Sequence, residues 1–200
     1  MPKRLIAPME EGRIRLRLIE ETDLPMTLNW RNQDHIRQWF FTSEPLTAEQ
    51  HRAWFDKYRE NDSDFVFIIE EMPAHLPVGQ VALYHIDWDA RRAEFGRLMI
   101  GEPHAAGKGL AYQATDLLVR TALQDLGLRE TYLEVFADND RAVAIYTACG
   151  FQVTGQRDNI LTMTKTNSAD GCTNASSSAL VQSNVSYRPG RLYKEAYHIT

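Results

Sequence analysis

A chain of 200 residues and 23.0 kDa is long enough for one domain with its own hydrophobic core, needing no disulfide or metal staples. Its 27 acidic against 22 basic side chains give a net charge of −5, which excludes the basic excess of a nucleic-acid or anionic-membrane binder. Two cysteines, Cys149 and Cys172, make neither a disulfide framework nor a zinc site, and the histidines show no ligand spacing, so no metal is expected. Neither a signal-peptide core nor an apolar run of the ~20 residues that span a membrane is present, and a cytoplasmic protein is expected.

Arg13 to Ile19 alternates basic and apolar residues, the pattern of a half-buried strand. Thr22 and Asp23 open a short helix carrying Leu24, Leu28 and Trp30, and a second helical piece is expected near Ile36 to Phe41. Thr47 and Gln50 form a capping box, and the helix behind it sets His51, Trp54, Phe55 and Tyr58 on one face. Apolar runs at Phe65–Ile69, Val78–Ile86 and Ala93–Ile100 read as strands spaced like antiparallel hairpins. A long helix is predicted over Gly109–Leu126, with Gly127 as its stop. Then come a strand at Thr131–Phe136, a helix capped by Asp138 and Asn139 and ended by Gly150, and short strands at Phe151–Gly155 and Ile160–Thr164. The order predicts an α/β (α+β) fold, one mixed, mostly antiparallel twisted sheet with helices on both faces. Residues 13–165 make the domain. Residues 166–187, rich in Ser, Asn, Thr and Ala, read as a polar linker, and 188–200 as a terminal segment of open role.

The stretch from Leu98 to Ala111 carries chemistry. A strand ends, a turn with Gly107 and Gly109 follows, and a long helix begins. The first turn of such a helix offers N–H groups without intrahelical partners, and with the helix dipole they suit a pyrophosphate. Glycines let the backbone approach the phosphates, and Lys108 adds charge at the rim. Neither a Walker A loop nor a dinucleotide fingerprint is present. Glycines serving a plain turn are the alternative.

The run His104-Ala105-Ala106-Gly107-Lys108-Gly109 resembles the pyrophosphate loop [Q/R]-x-x-G-x-[G/A] of the GNAT superfamily of acetyl-CoA-dependent N-acetyltransferases, with His104 departing at the first position. Asn139 to Tyr146 followed by Gly150-Phe151 is similar to that family's N-x-x-A-x-x-x-Y-x-x-x-G-F helix. The resemblance covers roughly Arg13 to Lys165. It implies the GNAT fold, acetyl-CoA as cosubstrate, and direct attack of an amine on the thioester without a covalent enzyme intermediate. It further implies that free backbone groups of Leu98, Met99 and Ile100 hold the pantetheine and polarise the carbonyl. Ala105, Ala106, Gly107, Lys108, Gly109, Leu110 and Ala111 would bind the pyrophosphate, Asn139 would touch the pantetheine, and Tyr146 would protonate the departing thiolate. Each has a plainer alternative: a helix cap for Asn139, a core residue for Tyr146. Glu134, a carboxylate in an otherwise apolar strand, is the candidate base, or else an outward-facing residue. Cys149 lies at a helix C-terminus, where the dipole disfavours a thiolate, so an acyl-cysteine route is rejected.

Acceptor choice is expected from the N-terminal helices. Trp30-Arg31-Asn32 and Arg37 to Phe41 combine arginines with aromatics, and the His51-x-x-Trp54-Phe55 helix follows. This pattern is similar to a GNAT subfamily that acetylates the 4-amino group of UDP-linked aminosugars in pseudaminic acid-type pathways. That resemblance implies a nucleotide aminosugar acceptor met by Arg31, Trp39, Phe40 and Phe41. Alternatives are a polyamine acetyltransferase, a ribosomal-protein or peptide N-terminal acetyltransferase, and a catalytically silent acetyl-CoA-binding module. Neither nucleic acid nor a membrane is an expected partner, and a homodimer is the assembly considered.

Overall fold

The computed structural model describes residues 3–167. The expectations for the linker beyond residue 167 and for the terminal segment lie outside them. Strands β1 (Met9–Glu11), β2 (Ile14–Leu18), β3 (Phe65–Glu71), β4 (Leu76–Asp87), β5 (Arg92–Ile100), β6 (Glu130–Phe136), β7 (Gln152–Arg157) and β8 (Ile160–Thr166) form one eight-stranded sheet. Its order is β1-β2-β3-β4-β5-β6-β8-β7. Every neighbouring pair is antiparallel except β5–β6. The helices are α1 (Leu24–Asn32), α2 (Asp34–Arg37), α3 (Ala48–Tyr58), α4 (Leu110–Gln124) and α5 (Asp140–Ala148). The predicted α/β class and mixed sheet are therefore what the chain adopts.

Both faces of the sheet are covered, and β3 records it, because every one of its residues is buried. Phe65, Phe67 and Ile69 pack into one cluster with Leu110, Ala114, Leu118 of α4 and Tyr146 of α5. Val66 and Ile68 pack on the other face with Leu24 of α1 and Trp54, Phe55, Tyr58 of α3. A strand covered on both faces reads as a continuous apolar run rather than an alternation. Each such side chain contributes roughly 1.5–3 kcal/mol by leaving water. β2 keeps the alternation: Ile14 and Leu16 are buried, while Arg15 and Arg17 pair with the buried Glu70 at 3.0 and 2.6 Å.

The capping box at Thr47 forms as expected, with Gln50 N donating to Thr47 Oγ1 at 3.2 Å and Gln50 Oε1 accepting from Thr47 N at 2.9 Å. Several bounds shift by a few residues, and three differences from the sequence reading stand out. β1 was not anticipated, since three residues give too short a pattern. β8 runs through Thr166, into the expected linker. The helix expected over Ile36–Phe41 ends at Arg37. There the Arg37 guanidinium donates to the Ser43 carbonyl at 2.8 Å and Arg31 to the Thr42 carbonyl, folding the chain back just after Phe40 and Phe41. Among the described residues no helix is long and apolar enough to cross a membrane.

Candidate active site

β5 and β6 pair only from Arg92↔Glu130 to Glu94↔Tyr132. Beyond Glu94 the two parallel strands part, so the β6-facing backbone edge of β5 is left without a strand partner. On its other edge β5 stays with β4, but through a register shift between Gln80 and Ala82, and Arg97 takes φ of +51°. A strand irregularity of this kind re-aims the chain and commonly borders a site. Gly79 permits the approach, since a Cβ there would lie 2.1 Å from the Met99 carbonyl oxygen.

The parted strands open a cavity of about 300 Å³. Its walls bring together Leu98, Met99 and Ile100 of β5, Glu134 of β6, Tyr146 of α5, Asn139 at the α5 cap, Ala106 and Ala111 at the turn into α4, and Trp39, Phe40 and Phe41 beyond α2. These residues are far apart in sequence, and the sheet topology collects them. Tyr146 is buried, with its ring edge-on to Phe95 at 5.8 Å and to Phe151 at 6.1 Å. Asn139 is also the helix cap, accepting from Ala142 N at 3.2 Å. Burial pushes the Glu134 carboxyl above the ordinary carboxylate range, the charge of Glu94 adds to this, and Arg157 opposes it. A half-buried carboxyl with a raised pKa is suited to taking a proton near neutral pH.

The turn into α4 fits a pyrophosphate on its own geometry. Gly107 and Gly109 both take φ of +76°, and a Cβ on either would meet nothing within 4 Å, so the space beside the backbone is clear. Gly109 caps α4, whose first-turn N–H groups lack intrahelical acceptors. Ala105 and Leu110 turn their side chains into the core, leaving main chain as their contribution. Lys108 is placed differently from the sequence expectation. Its ammonium lies 2.9 Å from both oxygens of Glu71, and Lys108, followed by Arg13, holds that carboxyl below its usual range.

Of the acceptor-side candidates Arg31 does not line the cavity, and of the turn candidates Ala105, Gly107, Lys108, Gly109 and Leu110 do not. Arg31 is 6% exposed, its guanidinium stacks 4.0 Å from the Phe40 ring centroid and donates to Thr42 O, and with Thr27, His51 and Trp54 it lines a small adjoining chamber that shares Phe40, Arg97 and Met99 with the cavity. It supports Phe40 from behind. Sequence reasoning missed Tyr84, Phe95, Gly96, Arg97, Phe136 and Arg141, which also line the cavity. Arg97 had a signal: a Gly-Arg pair inside an apolar strand marks a bulge, as Glu134 marks a site in β6.

The model of the acetyltransferase (GNAT) domain matches residues 13–152. The chain belongs to the GNAT acetyltransferases. Acetyl-CoA-dependent N-acetyl transfer is the activity of this domain, and acetyl-CoA its cosubstrate. A spermidine N(1)-acetyltransferase of Escherichia coli is 32% identical over 144 residues, 72% of this chain and 75% of that enzyme. An uncharacterized Methanocaldococcus jannaschii protein is 27% identical over 146 residues, 72% of this chain but 29% of that protein, so this chain spans under a third of its length. The crystal structure of spermidine N-acetyltransferase from Vibrio cholerae in complex with CoA and spermine superposes with a TM-score of 0.71 at 25% identity, covering 79% of this chain and 98% of that one. The Escherichia coli and Vibrio cholerae relatives are spermidine acetyltransferases, and neither supports the aminosugar resemblance.

Proposed function

We propose that this domain acetylates a primary amine of a small polyamine, with Glu134 as base and Tyr146 as acid. The observation that carries the reading is the single cavity holding Glu134, Tyr146 and the open edge of Leu98–Ile100 beside the Gly107–Gly109 turn. Acetyl-CoA supplies the acetyl group as a thioester. The chain does the rest. Main-chain N–H groups at Gly107 to Ala111 bind the pyrophosphate, and the free edge of β5 donates to the thioester oxygen as it gains charge, the usual source of the largest catalytic term. Glu134 removes a proton from the acceptor nitrogen. Tyr146 gives its hydroxyl proton to the leaving sulfur. A phenol of pKa ~10 is a weak donor to a thiolate of pKa ~8.5, so alignment must supply the difference.

Two things support a polyamine as acceptor. The spermidine acetyltransferase of Escherichia coli is the relative at 32% identity. The cavity rim is aromatic, with Trp39 41% exposed, Phe41 39% exposed and Phe41 edge-on to Phe136 at 5.0 Å. Aromatic faces attract ammonium groups, so a polycation can be held with Glu134 as an anchor and few further carboxylates. The same rim, with Arg141 beside it, favours a second reading, the nucleotide aminosugar, because aromatic faces also stack on a base and arginine suits phosphate. Thiol release from acetyl-CoA distinguishes them, with spermidine, spermine, UDP- and dTDP-4-amino-sugars and N-terminal peptides as acceptors. Turnover on spermidine or spermine is expected. Turnover confined to an aminosugar would replace the acceptor, and acetyl-CoA binding without turnover would mark a silent module.

A further inference from the structure

Neighbouring side chains of a strand point to opposite faces. Tyr84 and His85 nevertheless meet one carboxylate. The Tyr84 hydroxyl donates to Glu94 Oε1 at 2.8 Å, and His85 Nδ1 lies 2.9 Å from Glu94 Oε2. The cause is local: the β4–β5 register shifts between Tyr84 and Asp87, and His85 takes φ of +50°, which swings its ring onto Glu94. A non-glycine residue in that region is strained, so the arrangement is held rather than relaxed. Gly96 belongs to it, because a Cβ there would stand 2.8 Å from the Tyr84 hydroxyl. The three groups bridge inside and outside. Tyr84 is buried and lines the cavity, Glu94 is buried, and the His85 side chain is 38% exposed. The neighbouring charges are Arg97, whose guanidinium lies 4.5 Å from the Tyr84 ring centroid, and Glu134 on β6.

We propose that Tyr84, Glu94 and His85 form a proton exit from the cavity to the surface, serving the amine-acetylating reaction of the preceding section, on which this inference rests. At neutral pH the acceptor arrives as an ammonium. It loses two protons before it becomes an amide: one ends on the CoA sulfur as the C–N bond forms and the C–S bond breaks, and one leaves the protein. With acceptor and pantetheine filling the cavity and Trp39 and Phe41 over its mouth, bulk water is displaced from the floor. The surplus proton, taken up by Glu134, which lines the same cavity, passes to the Tyr84 oxygen as Tyr84 gives its own to Glu94. Glu94 hands it to His85 Nδ1, and the imidazolium releases a proton to solvent from Nε2.

The test uses the full chain with spermidine or whichever amine the panel identifies. His85→Ala, an exposed change that leaves the core intact, should lower kcat about 5-fold in weak buffer with both KM values unchanged, less than the roughly 10²–10⁴-fold of a group that acts directly on the reacting atoms, because buffer can replace an exit at the surface. Added imidazole should restore it, as a structural defect would not allow. Tyr84→Phe should lower kcat without rescue by imidazole, because the break is at the buried end. A His85→Ala protein with full kcat in weak buffer, or with a loss that imidazole does not relieve, overturns the exit while leaving the acetyl transfer standing. A wild-type chain that turns over no amine overturns the acetylation reading and the exit with it.

Discussion

The two walls of the cavity are held in place by different means. The wall of β5 and the α4 turn is fixed by main chain: a bulged strand at Arg97, an edge left open beyond Glu94, and left-handed glycines at 107 and 109. The wall beyond α2 is fixed by side chains reaching over distance. Trp30 Nε1 donates to Glu102 at 2.8 Å, Asn32 exchanges two 2.8 Å bonds with the Leu46 backbone, and Arg31 and Arg37 hold the carbonyls of Thr42 and Ser43. On the proposed reading the main-chain wall meets what is constant, the thioester and its diphosphate, and the side-chain wall, which substitution can re-specify, meets the acceptor.

The sharpest attack on that division is at the chemistry between the walls. Tyr146→Phe should lower kcat by about 10²–10⁴-fold, with the acetyl-CoA KM little changed. Full kcat in that variant removes the acid assignment. Next in size is Gly101→Ala, where the two walls touch. A Cβ there would stand 2.0 Å from Trp30 Cγ, and overpacking of this severity should cost about 3 kcal/mol, read in urea unfolding. Wild-type stability would mean that the indole moves aside at little cost.

Smaller effects should separate the walls cleanly. Gly107→Val fills the clear space beside the turn and strains φ of +76°, so CoA affinity should fall about 10-fold by calorimetry while acceptor KM holds. Trp39→Ala should do the reverse, raising acceptor KM a few-fold, roughly the worth of one exposed cation–π contact, and sparing acetyl-CoA. If both variants move the same KM, the division of labour fails. The mildest test is pH. His51 is buried, with its Nε2 3.0 Å from Thr27 Oγ1, and burial followed by the charge of Arg31 lowers its pKa to about 4. The unfolded chain binds the proton from pH 6.5 downward and the folded chain resists it to about 4, so stability should decline as pH falls through that window. His51→Gln should flatten that part of a stability–pH profile measured by urea unfolding.

Most elements were legible in order because their signals are local. The period of α3, the capping box at Thr47 and the glycine stop at Gly127 need only a few neighbouring residues. The turn at Gly107–Gly109 was legible for the same reason, and its resemblance to the family's loop implied the cosubstrate. Arg31 and Lys108 were misplaced because their partners are distant: Thr42 across a reversal the helix pattern hid, and Glu71 on another strand 37 residues away. The aminosugar resemblance rested on that same N-terminal run, whose side-chain orientation is set by contacts rather than by pattern.

The sequence alone determined the alternation of strands and helices, the doubly covered sheet and a glycine turn suited to a phosphate, since backbone propensity and hydrophobic period are written in adjacent residues. Only the tertiary structure decided where β5 leaves β6, that Arg31 faces inward, and that Tyr84 and His85 share Glu94. Those outcomes depend on strand register, on bulges and on which polar groups must be paired once buried, all of them properties of residues that meet only after folding.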